Sequence, residues 1–236
     1  MFELQEKQTF NLEEKAAGST QFYVGGGWQA PSGSWDLDFS AVAIRDNGST
    51  ALAYYGGKSI LGGAIRCGED ERSGSDGDSS TGDDEHILID TSKIPADVNK
   101  VALVVNIYNN GDFKQIKKAY MRICNGMSET SPELFCFPLG DGLTGRACEF
   151  GFLKRTDNGW EFEATGVMLD GPGSGVQGGS VKSIQQSYGP NPPRASRTAA
   201  SSGSAQSAPA SSGGSSALPL IIGLVVVAAA AAFFLL

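Results

Sequence analysis

The sequence predicts an all-β chain, a β-sandwich with little helix, followed by a disordered linker and one C-terminal transmembrane helix. Three observations carry that prediction. About ten short segments read as strands, two of them by apolar positions that alternate with period two. Turn signals such as Asp46-Asn47-Gly48, Asn109-Asn110-Gly111 and Asp157-Asn158-Gly159 separate several of them. Near the end the composition changes abruptly, first to small and polar residues and then to an unbroken apolar run.

In chain order, the strand candidates begin with Phe2 to Leu12, Gln21 to Val24, Phe39 to Arg45, Ala51 to Tyr55 and His86 to Asp90. Next comes the clearest alternation, in which Val101, Leu103, Val105 and Ile107 interleave with Ala102, Val104, Asn106 and Tyr108. Ala119 to Cys124, Glu133 to Pro138 and Cys148 to Lys154 follow. The last strand sets Trp160, Phe162 and Ala164 against Glu161, Glu163 and Thr165. Helix is confined to a turn near Phe113 to Lys118 and a stretch from Ser180 to Tyr188. Trp28, Trp35 and Trp160 stand at strand spacing and read as core anchors. This part of the chain, 1–188, forms one domain.

From about Gly189 to Ser216 the chain is Pro, Ser, Ala and Gly with almost no apolar bulk, so burial cannot offset its ordering entropy. The stretch 189–216 is therefore a flexible tether with a root-mean-square reach of about 30 Å. Ala217 to Leu236 carries no charge. As a helix it reaches about 30 Å, the thickness of a bilayer's hydrocarbon core. With no polar face to set against solvent, 217–236 reads as a membrane span. A single span at this end resembles tail-anchored proteins, which places the upstream domain in the cytosol. A lipid-anchor signal at Ser211 to Gly214 is the rival reading. It requires a signal peptide, and Glu3, Glu6 and Lys7 stand where that peptide's apolar core would be.

The net charge of −8 removes the electrostatic basis for gripping a nucleic-acid backbone, so no nucleic-acid partner is expected. Nearly all of that charge lies in one segment. Glu69, Asp70, Glu71, Asp76, Asp78, Asp83, Asp84 and Glu85 face only Arg72 in opposition. Either a bound cation or solvent must relieve the repulsion. Asp36-Leu37-Asp38 opens a strand, and alternation puts both carboxylates on one side of it. Small residues and carboxylates together offer hard oxygen ligands in a bendable loop, which is the chemistry of calcium. An EF-hand does not fit, because counting from Asp76 puts Thr81 where Gly is required and Ile87 where the bidentate Glu belongs. The four cysteines form no CxxC and His86 is the only histidine, so a zinc site is poorly supported and free thiols are expected.

Several segments, in this order and spacing, resemble the tellurium-resistance TerD family. They are Val24-Gly25-Gly26-Gly27-Trp28, Trp35-Asp36-Leu37-Asp38-Phe39-Ser40, Gly82-Asp83-Asp84-Glu85-His86-Ile87-Leu88-Ile89-Asp90, Ile94-Pro95-Ala96-Asp97-Val98 and Asn158-Gly159-Trp160-Glu161-Phe162. The resemblance covers 1–188. It implies a TerD-like β-sandwich that binds calcium at one end through acidic loops and serves in stress responses or resistance to tellurite and other toxic agents. Carried over by position, the implied ligands are Asp36 and Asp38 from DLD and Asp83, Asp84 and Glu85 from GDDE. Asp76 and Asp78 compete with Asp70 for the family's upstream loop position, and the residues leave that choice open. Two departures stand out: Ser34 and Gln29 occupy positions where the family usually carries acids.

The reading that follows is a membrane-tethered, calcium-binding stress-response sensor or scaffold with protein partners in a stress-response complex, and not an enzyme. A metal-dependent hydrolase using the same carboxylates is one alternative. A receptor for a small anion or cyclic nucleotide is another, although Gly171-Pro172-Gly173-Ser174-Gly175 lacks the flanking strand and helix of a phosphate loop.

Overall fold

A computed structural model describes residues 8–29, 35–74, 82–108, 111–116, 118–139, 143–169 and 179–188. All of them belong to one compact unit, Met1–Arg194. The linker and the apolar segment 217–236 lie outside the described residues. Among the described residues no helix is long and apolar enough to cross a membrane.

The strands are β1 (Thr9–Asn11), β2 (Gln21–Gln29), β3 (Leu37–Arg45), β4 (Thr50–Ala53), β5 (Ser59–Ile60), β6 (Ile65–Cys67), β7 (Glu85–Asp90), β8 (Val98–Ile107), β9 (Lys118–Asn125), β10 (Glu133–Leu139), β11 (Ala147–Thr156) and β12 (Gly159–Met168). They form two six-stranded sheets, ordered β1-β12-β11-β8-β3-β4 and β10-β9-β2-β7-β6-β5. Every described pairing is antiparallel. Among the described residues helix is limited to a turn, α1 (Leu12–Lys15), the helix α2 (Gly179–Tyr188) and three single 3-10 turns. The expected β-sandwich with little helix is thus observed.

Several boundaries differ from the sequence reading for physical reasons. The strand expected to reach Leu12 ends at Asn11, whose side chain caps α1 by accepting from the Glu14 N–H at 2.8 Å. β2 runs on to Gln29 through Gly25-Gly26-Gly27, where glycine would by propensity end a strand. β5 and β6 were not anticipated, because segments of two and three residues are too short to show a period. The stretch after Ala53 turns back at once, Tyr54 bridging to Gly57 instead of extending the strand.

The main core lies between the sheets. Phe22, Val24 and Trp28 of β2 meet Leu37, Phe39, Ala41 and Ala43 of β3 there, with Val101, Leu103 and Val105 of β8 and Phe150, Trp160 and Phe162. A second apolar cluster explains why β8 and β3 are also apolar at intervening positions. Val42, Ile44, Ala102 and Val104 pack with Phe152, Leu169 and Ile184, so α2 covers what would otherwise be a wet apolar face. Its ten residues are too few for a stable isolated helix, and the docking of Ile184 and Tyr188 holds it in place. Trp28 and Trp160 are core anchors as expected, with Trp35 half-buried against the same cluster. All four cysteines are free, and Cys124, Cys136 and Cys148 are buried.

Candidate metal centre

The start of β3 is fixed by two backbone anchors. The Trp28 indole N–H donates to the Trp35 carbonyl at 2.7 Å, and the Tyr108 N–H donates to the Asp36 carbonyl at 2.8 Å. Leu37 and Phe39 enter the core, so Asp38 between them faces the other way, beside Asp36. The loop leaving β6 brings Asp70 to the same place; its root is held by the Gly68 N–H donating to the His86 carbonyl at 2.8 Å. Asp36, Asp38 and Asp70 each offer a carboxylate oxygen within 4.8 Å of the others. A cavity of about 250 Å³ opens onto them, lined also by Tyr55, Arg72 and Tyr108.

The electrostatics of this cluster are those of crowded carboxylates, with Asp38 buried and Asp36 and Asp70 half-buried. Burial raises the Asp36 carboxyl to about 6, helped by the charge on Asp70 and opposed by Arg72. Burial also raises Asp38 to about 7, and the charges of Asp36 and Asp70 add to the effect. Asp38 is 2% exposed, and its Oδ2 has no hydrogen-bond partner; neither does Asp36 Oδ1. A buried carboxylate oxygen without a donor is costly unless a proton or a cation satisfies it. Arg72 reaches Asp70 at 3.2 Å and stays largely exposed. The donor set is all hard oxygen and negatively charged, which fits calcium or magnesium and does not suit zinc or copper.

The remaining acidic residues expected at the site fall in different places. The Asp83 side chain is fully buried against Arg122, which donates to it from Nε at 2.9 and 3.0 Å and from Nη2 at 2.7 Å. The Tyr120 hydroxyl donates to the same carboxylate at 2.8 Å. Asp84 accepts from the Trp28 N–H at 2.9 Å. Glu85, 5% exposed, accepts from the Phe39 N–H; burial raises its carboxyl to about 9, with that hydrogen bond opposing the shift. Among the described residues, Asp36, Asp38 and Asp70 are therefore grouped, while Asp83, Asp84 and Glu85 each engage a neighbouring strand. Asp76 and Asp78 lie outside the described residues. Tyr55, Arg72 and Tyr108 were not anticipated as neighbours of the site, since nothing in the spacing of these three residues ties them to Asp36. Arg122 had a visible signal, being the lone charge between Ala119 and Cys124.

A family model described as "TerD domain" matches residues 1–188. The uncharacterized protein YceE of Bacillus subtilis (strain 168) is 32% identical, covering 79% of this chain and 97% of that protein. Tellurium resistance protein TerD of Alcaligenes sp is 31% identical over 77% of this chain and 93% of its own length. Stress response protein SCP2 of Bacillus subtilis (strain 168) is 30% identical over 69% and 90%, respectively. Among solved structures, a homologue of telluride resistance protein (TerD) from Streptomyces coelicolor A3(2) superposes with a TM-score of 0.53 at 17% identity. It covers 65% of this chain and 92% of that one, a likeness of fold.

Proposed function

The chain belongs to the TerD domain family, and we propose that it is a calcium-binding stress-response module, tethered to a membrane by its C-terminal apolar segment and acting as a sensor or scaffold. Its similarity to proteins named for tellurium resistance and for stress response supports the general role. One observation supports the metal: the buried, unpartnered oxygen of Asp38 beside the carboxylates of Asp36 and Asp70. Those three residues would hold the ion. Bound there, calcium would supply the positive charge that offsets the repulsion among the three carboxylates and satisfies the buried oxygen of Asp38.

The chain's own residues supply the rest. Asp36 and Asp38 carry the end of β3, and Asp70 carries the loop after β6, so joining them ties one sheet to the other at a single end of the sandwich. Arg72 lies at the rim and neutralises part of the charge of Asp70. Asp36 and Asp38 give up protons as they become ligands, so occupancy depends on pH. The ordered end, bordered by Tyr55 and Tyr108, is the surface a protein partner would meet. We read the cluster as a site of binding, not turnover. The uncharged segment 217–236 supports the tether.

Calorimetric titration of calcium into the full chain in detergent, with magnesium as competitor, tests the metal. Saturable micromolar binding that Asp38→Asn abolishes supports the proposal; heat indistinguishable from buffer refutes it. Flotation with liposomes, comparing the full chain with one ending at Ser216, tests the tether. Equal flotation of the two would overturn it.

A further inference from the structure

Asp83, Asp84 and Glu85 are consecutive, yet their carboxylates go to three different strands. Asp83 is held by Arg122 and Tyr120 of β9, Asp84 receives the Trp28 N–H of β2, and Glu85 receives the Phe39 N–H of β3. The triplet lies against a stretch of β2 with no side chains. A Cβ at Gly25 would stand 2.2 Å from Asp83 Oδ2, and one at Gly27 would stand 3.1 Å from Asp84 Oδ2. Glycine inside a strand weakens it and marks a close approach, and here what approaches is the acidic triplet.

The Phe39 N–H belongs to the peptide plane that joins Asp38 to Phe39. β4 pairs with β3 only from Ala41 to Ile44, so the ladder on that side stops short of Phe39. Glu85 takes the place of the missing strand. Holding that N–H orients the Asp38 peptide, and with it the carboxylate whose Oδ2 is left without a partner.

We propose that Asp83-Asp84-Glu85 is a clasp that positions the metal centre without ligating the ion, and that Glu85 is the positioning residue for Asp38. The inference rests on the calcium reading above and assigns the division of labour within it. A positioning carboxyl needs only an acceptor for the Phe39 N–H, which a glutamine amide also provides; a carboxylate that ligates the ion loses its charge, and with it much of its hold, when it becomes an amide.

The test compares Glu85→Gln, Glu85→Ala and Asp38→Asn in the full chain, measuring calcium affinity by calorimetry and unfolding by urea in the presence of chelator. The expected result is an affinity loss of about tenfold or more in Glu85→Ala, as for removal of a residue that orients a metal ligand. Glu85→Gln is expected to restore most of it, while Asp38→Asn stays deficient. If Glu85→Gln loses affinity as fully as Asp38→Asn, Glu85 is a ligand and the inference is overturned. It is equally overturned if Glu85→Ala lowers urea stability and leaves calcium affinity at the wild-type value. Should Glu85→Ala fail to fold, the contrast between Glu85→Gln and Asp38→Asn decides alone. A wild-type chain that binds no calcium overturns the calcium reading itself, an outcome distinct from the other two.

Discussion

Replacing Asp83 by asparagine should cost folding stability in the absence of any metal. The Asp83 side chain is wholly buried, and Arg122 makes three contacts of 2.7 to 3.0 Å to it. Asn preserves the shape and the Tyr120 contact but leaves the guanidinium, itself only 10% exposed, short of its principal counter-charge. Breaking a buried pair from one side costs about 3–5 kcal/mol. Glu129 and Glu133 stand 3.9 and 4.0 Å from Arg122 and keep part of its charge compensated, which places the expected loss near the low end, about 3 kcal/mol. In a domain of this size that corresponds to a fall in Tm of about 6–12 °C. Urea unfolding of the full chain in chelator measures it. The double change Asp83→Leu with Arg122→Met should cost less than the two single changes added together, because it removes both charges at once. A loss in Asp83→Asn of less than about 0.5 kcal/mol, the range of an ordinary surface substitution, would show that the Asp83–Arg122 pair does not stabilise the fold.

Three further outcomes are expected. In chelator, stability should fall as pH rises from about 4 to 7: the folded state holds Asp36 near 6 and Asp38 near 7, so it binds more protons than the unfolded chain there, while calcium affinity rises over the same range; urea midpoints at pH 5 and 7.5 that match would contradict this. Asp90 behaves in the opposite sense. Hydrogen bonds from Lys93 and Ser92 hold its carboxyl at about 2, so its contribution is present above pH 4 and lost as pH falls toward 2, and Asp90→Asn should remove about 1–2 kcal/mol at neutral pH but little at pH 2 by denaturant titration. Finally, Tyr188→Phe removes the hydroxyl that donates to the buried Glu149 at 2.6 Å; hydrogen exchange should speed up in 179–188, with a stability loss of about 1–3 kcal/mol, and unchanged exchange there would refute the anchoring of α2.

The strands were legible because a half-buried sheet stamps its period of two on the sequence. Trp160 to Thr165 shows it directly. Where the stamp was faint, the reading fell short. Gly25-Gly26-Gly27 reads as a strand end by propensity, yet continues β2, because the bare backbone is required by the residues that lie on it. The apolar positions between the core positions of β8 also had no evident purpose until α2 was seen to cover them.

The acidic site divides along the same line. The sequence by itself determined that the negative charge is concentrated in one loop and one strand opening, and that Asp36 and Asp38 share a side, because both facts follow from local composition and strand geometry. Only the tertiary structure decided that Asp70 joins them while Asp83, Asp84 and Glu85 turn to Arg122, Trp28 and Phe39. Adjacent carboxylates are equivalent in sequence; which one meets a guanidinium, a backbone N–H or an open cavity depends on strands brought together across the fold, and that proximity is not encoded in any local pattern.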